Sequence, residues 1–130
     1  MARIRLHSAE FYSHLAHLFY AVALADKTIT RKEKEEIIRL VDVYWTSDSN
    51  SINGKEIIYT HLRQLIANKV ECTAAYDSFK NYYIKNLNSF DAPLREKIMD
   101  SAYDIANATA KRNKSELTFL NRLHRLLFNT

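Results

Sequence analysis

Apolar positions recur at intervals of three and four along most of the chain and divide it into six amphipathic stretches. The first starts at Ser8, a fitting N-cap, and runs to about Ala25, with Phe11, Leu15, Leu18, Val22 and Ala25 on one stripe. Tyr12, Ala16, Phe19, Ala21 and Ala23 widen that stripe until most of the circumference is apolar, which predicts a central helix. The second, Arg31 to about Trp45, turns Ile37, Ile38, Val41, Tyr44 and Trp45 inward. It leaves Lys32, Lys34, Glu35, Glu36 and Arg39 in water. A third helix is expected from Lys55 to about Val70, with Ile58, Leu62, Leu65 and Ile66 inside. A fourth runs from Thr73 to about Asn86, on the stripe Tyr76, Phe79 and Tyr83. Asn88, Ser89 and Asp91 mark a break, and Pro93 suits the first turn of a fifth helix carrying Leu94, Ile98, Ala102, Ile105 and Ala106. The last, Lys114 to about Phe128, uses Leu117, Leu120, Leu123 and Leu127.

Part of this pattern occurs twice. Shifting Tyr20–Leu40 by about 83 positions lays it over Tyr103–Leu123. Tyr20 then meets Tyr103, Val22 meets Ile105, Ala23 meets Ala106, Ile37 meets Leu120 and Leu40 meets Leu123. Thr30 with Glu33, and Asn113 with Glu116, both read as an N-cap with a carboxylate three residues on. The expected architecture is therefore all-α, one compact domain over residues 1–130 with an internal helical-hairpin repeat. Its halves lie at about 8–45 and 91–128, joined by helices within 55–87.

Composition agrees with helices. The chain has one Gly and one Pro in 130 residues, too few for the regular turns of a β fold. A net charge of +4 favours solubility and is not by itself a nucleic-acid signature. The local excess at Lys111, Arg112, Lys114, Arg122 and Arg125 has no recognition-helix motif beside it, so no nucleic-acid partner is expected. A lone Cys72 allows no internal disulfide and suits a reducing, cytoplasmic setting, where it reads as a small buried side chain. Arg3 and Arg5 before the apolar run Leu18–Leu24 imitate a secretion signal. Glu10, His14 and His17 interrupt it, so no signal peptide is expected, and no stretch is long enough for stable membrane insertion.

Candidate chemistry is sparse. His14 and His17, three apart on the first helix with His7 a heptad earlier, could face a zinc ion only if His61 or His124 joined them. The polar loop Thr46–Gly54 fails as a calcium loop: from Asp48 the fifth position is Ile52 and the twelfth is Tyr59, where a bidentate Glu is needed. No nucleophile elbow or phosphate cradle is present, so no enzyme activity and no cofactor are expected. Eight tyrosines, with Tyr44-Trp45 and Tyr82-Tyr83 adjacent, point to an interaction surface, since neighbours on a helix diverge by about 100°.

Ala25-Asp26-Lys27-Thr28-Ile29-Thr30 followed by Glu33 resembles the alanine–aspartate–glycine, hydrophobic, Ser/Thr, glutamate signature of the TerB-like (tellurite-resistance) family. The resemblance implies an all-helical fold with one signature per half, and a cytoplasmic bacterial protein tied to metal stress, membrane-associated complexes or chaperone partners. It implies no nameable enzyme activity. Lys27 replaces the expected Gly, and the second copy, Ala108-Thr109-Ala110-Lys111-Arg112-Asn113, keeps neither acid nor Gly. Asp26 is thus the single metal-ligand candidate carried over, and it is expected to stand empty beside Lys111 and Arg112. The leading expectation is a non-catalytic helical interaction module whose partner is a protein or a second copy. The alternative is a divalent-metal or ligand sensor using Asp26 and the histidines.

Overall fold

The structure, a computed structural model, describes residues 8–25, 29–45, 54–108 and 114–128, with side chains in the last segment from 117 on. Six α-helices make up the described residues: α1 (Ala9–Ala23), α2 (Arg31–Tyr44), α3 (Gly54–Ala67), α4 (Cys72–Lys85), α5 (Ala92–Ala106) and α6 (Lys114–Phe128). A single 3-10 turn, Leu87–Ser89, precedes α5, and no strand occurs among these residues.

The helix starts follow the capping chemistry of the sequence. Ser8 Oγ accepts from Phe11 N at 3.0 Å, and Asp91 Oδ1 accepts from Leu94 N at 3.0 Å. Thr30 and Glu33 form a full capping box, with Glu33 N donating to Thr30 Oγ1 at 3.1 Å and Thr30 N donating to Glu33 Oε1 at 2.9 Å. Each such cap stabilises its helix by roughly 1 kcal/mol. Glu33 is fully buried while serving as a cap. The matching Asn113–Glu116 pair lies outside the described side chains.

Helix α1 is the centre. Ten of its fifteen residues are buried, and the small Ala16, Ala21 and Ala23 let neighbours come close. It packs most broadly against α3 and α4 and touches α2, α5 and α6 as well. Helices α2 and α6 instead rest chiefly on α5. Trp45, just past α2, fixes that contact: its Nε1 donates to Ser101 Oγ at 3.0 Å, and Lys97 Nζ sits 4.4 Å above its ring. Phe11 and Phe19 of α1 reach the same indole, at centroid distances of 5.9 and 6.4 Å.

Four residues expected inside are at the surface: Ile38 is 50% exposed, Tyr44 38%, Ile66 39% and Leu117 44%. Three of them stand next to a buried residue, namely Ile37, Trp45 and Leu65. Adjacent helical positions diverge by about 100°. At these three pairs the neighbouring helices cover only one of the two directions, whereas Leu40 and Val41 of α2 are both covered.

The two helix pairs keep a common spacing. Ala9–Ala23 and Arg31 correspond to Ala92–Ala106 and Lys114 at the shift that aligns the sequences. Both α1 and α5 close the same way: Leu24 N donates to Tyr20 O and Asn107 N to Tyr103 O, each at 2.9 Å. Their surroundings differ. Tyr20 is buried while Tyr103 is 37% exposed, and α6 leans on α5 more than α2 leans on α1.

The chain's single glycine begins α3 because a Cβ there would lie 2.4 Å from Tyr12 Cζ. Tyr12 is itself 1% exposed, within a core expected to be close-packed. Gly54→Ala is therefore expected to destabilise the protein by about 1–3 kcal/mol in urea unfolding. In a Tyr12→Leu background the same change should cost less, and equal costs in both backgrounds would refute the contact.

Candidate functional site

Helices α2 and α3 run side by side without close packing, and side chains join them. Lys55 Nζ bridges Asp42 Oδ1 at 2.6 Å. Four residues on along each helix, in opposite chain directions, Tyr59 Oη donates to Ile38 O at 3.3 Å. The helices are thus antiparallel, stitched along the C-terminal half of α2. Past the stitches the space opens into an apolar groove of about 260 Å³. Its floor is the buried Tyr20, Ile37 and Leu62, and Ile38 and Ile66 stand exposed along it. The charged side chains lining it are Lys34 from α2 and Arg63 from α3. A wider trough of about 820 Å³ shares Tyr20, Ile29, Lys34 and Ile66 with the groove and continues along Lys69 to Thr73.

The far wall is built around the end of α3. Val70 N donates to Leu65 O at 3.2 Å and Lys69 N to Ile66 O at 3.1 Å, a Schellman closure with Lys69 at φ 52. Tyr20 Oη donates to Val70 O at 2.5 Å, tying this turn to α1. Cys72 Sγ donates to Ala21 O at 3.3 Å. Burial pushes the Cys72 thiol above its ordinary pKa, with Arg122 opposing, so it is the reverse of an activated nucleophile.

The histidines form a separate feature on the α1–α3–α4 side. His14 stacks on Tyr82 at 4.4 Å, His17 lies 5.7 Å from His14, and His61 lies 6.3 Å from His17. His14 Nδ1 is 2.8 Å from Glu10 O and His17 Nδ1 2.7 Å from Ser13 O, so each Nδ1–H donates along its own helix. His61 does join the pair, as a zinc reading requires. Yet among the described residues no group of three or more His, Cys, Asp or Glu is placed to hold a metal ion. His124 is elsewhere, against Phe128. Asp26 and the polar loop 46–53 lie outside the described residues, as do Lys111 and Arg112 of the basic cluster. Arg122 and Arg125 are exposed on α6. No helix among the described residues is long and apolar enough to cross a membrane.

The tyrosines mostly point inward. Tyr12, Tyr20, Tyr76 and Tyr83 are buried, and only Tyr44 and Tyr103 are substantially exposed. The groove is where exposed apolar side chains converge on a concavity, and the sequence reading assigned its lips to the core. The available signal was the doublets Ile37-Ile38 and Leu65-Ile66, whose members point about 100° apart.

Burial, together with His14 and His61 nearby, lowers the His17 pKa below 6.5 against the opposing pull of Ser13 O. The unfolded chain then takes up this proton first as pH falls. Stability should be flat above about pH 7 and decline as pH drops through 6.5 towards the lower folded value. Urea melts of His17→Gln across pH 5–8 should show a shallower decline than the unaltered protein.

No protein-family model, no curated protein and no solved structure matches the chain, so the groove is interpreted on its own geometry.

Proposed function

We propose that this chain is a non-catalytic helical interaction module that docks an apolar-faced protein segment between α2 and α3. One observation carries the reading: Ile38 and Ile66 stand exposed along a groove with an apolar floor, where α2 and α3 are held apart. Concave apolar surfaces with a few polar groups are the ordinary form of recognition sites. The lining offers no paired acid and base and no activated thiol, which supports binding over chemistry. The internal repeat and the TerB-like family belong to the same proposal. They are supported by the shared helix starts and matching helix-end hydrogen bonds of α1 and α5. With that family comes the proposed link to bacterial stress responses.

Ile38 and Ile66 are exposed enough to change without disturbing the core, so Ile38→Lys with Ile66→Lys should shift stability by about 0.5 kcal/mol or less. The tagged protein, purified from the cells that make it and read by mass spectrometry, should retain a defined partner that the double variant loses. Partners retained equally by the double variant would remove the groove from the interaction.

A further inference from the structure

The links between α2 and α3 form a ladder with one rung missing. Asp42 meets Lys55 as opposite charges, and one turn further Ile38 O meets the Tyr59 hydroxyl. One more step of four residues along each helix brings Lys34 level with Arg63. Both line the groove, and both are exposed. Two cations cannot close a rung, and like charges across the gap favour separation of the helices at that end. Among the described residues neither Lys34 nor Arg63 has an ion-pair partner. Arg63 makes only a marginal contact with Thr60 Oγ1 at 3.5 Å. Lys69 extends the positive lip, and among the described residues Glu71 is the one acid lining the cleft. Among the described residues the groove is therefore an apolar slot whose entrance carries Lys34 and Arg63 without an ion-pair partner.

We propose that its occupant is an amphipathic α-helix whose apolar stripe fills the slot and whose carboxylates sit between Lys34 and Arg63. The proposal rests on the reading of the groove as a docking surface and names the partner's chemistry. A helix is favoured over an extended peptide because no strand edge is available among the described residues for main-chain pairing. Both walls are helices that present residues at i and i+4, Lys34 with Ile38 on one side and Leu62 with Ile66 on the other. Such ridges accept the ridges of a third helix. Acidic residues flanking the incoming stripe would supply the anion that the third rung lacks, as flanking charges select partners in coiled coils.

A displayed library of helical peptides tests this, with leucine fixed at i, i+4 and i+7 and the flanking positions randomised. Selection on the full chain should enrich Asp and Glu at the flanks. The recovered peptides should bind at least tenfold more weakly to Lys34→Glu with Arg63→Glu, and more weakly at high salt. The single change Lys34→Glu completes the rung internally with Arg63. It should leave the melting temperature unchanged or raised while still weakening the acidic peptides, which separates lost recognition from lost fold. Peptides displaced by Ile66→Lys but neutral or basic at the flanks would overturn the acidic partner and leave the docking groove standing. Recovery of no groove-dependent peptide would overturn both. Self-association abolished by Ile66→Lys, in place of peptide capture, would assign the groove to a second copy and also overturn the proposal.

Discussion

A helix surrounded on nearly every side sets the terms for everything packed against it, and α1 is that helix. Its alanines remove the side-chain bulk that would hold neighbours off, while Phe11, Tyr12, Leu15, Leu18 and Phe19 supply the apolar area. Because α3 and α4 occupy most of its surface, α2 finds its main support on α5 instead. The Trp45 indole, held between Ser101 Oγ and Lys97, and the Arg39–Asp104 ion pair draw α2 that way. The Gly54–Tyr12 approach draws the start of α3 the other way, onto α1. Helices α2 and α3 are thus neighbours pulled toward different supports. The groove between them follows from that division.

Tyrosine has a structural role in such a fold. A chain with a single glycine makes few tight turns, so helices must be joined by reach. The Tyr20 hydroxyl spans from α1 to Val70 O, that of Tyr59 from α3 to Ile38 O, and that of Tyr83 from α4 to Leu127 O at 3.4 Å. Each packs its ring against apolar neighbours and places its polar tip on a backbone carbonyl, at a helix end for Val70 and Leu127 and in mid-helix for Ile38. That use accounts for more of the eight tyrosines than an interface does.

How far the sequence discloses this molecule depends on whether one position or a neighbouring pair decides. Isolated periodic positions such as Leu62, Phe79 and Leu123, with polar neighbours on both sides, face inward as expected. Caps at Ser8 and Thr30 are equally legible because their chemistry is local, whereas Asp91, which reads as part of a break, also caps α5. At Ile37-Ile38, Tyr44-Trp45 and Leu65-Ile66 both residues are apolar, and only the direction of the support decides which one is buried. Two exposed members of such pairs, Ile38 and Ile66, stand along the groove. His14 and His17 could be paired from spacing, whereas the approach of His61 depends on how α3 lies against α1. Lys69 shows the limit of composition rules, since it takes the left-handed turn that glycine usually fills, while the only glycine is needed against Tyr12.

The charges on α2 follow the same division. Two groups of α2 charges are matched across to neighbouring helices: Arg39 between Glu36 and Asp104 of α5, and Asp42 with Lys55 of α3. Lys34 has no such partner among the described residues, and it lines the groove with Arg63 of α3. An exposed lysine alone is unremarkable, because surface pairs contribute only about 0–1 kcal/mol and many are absent without consequence. Position changes that reading. Lys34 and Arg63 occupy the next step of a ladder whose first two rungs are made, and their shared sign prevents the third. A groove meant to close on itself would carry an acid at one of these places, so the charge pattern favours a slot that stays open until an anionic surface enters it.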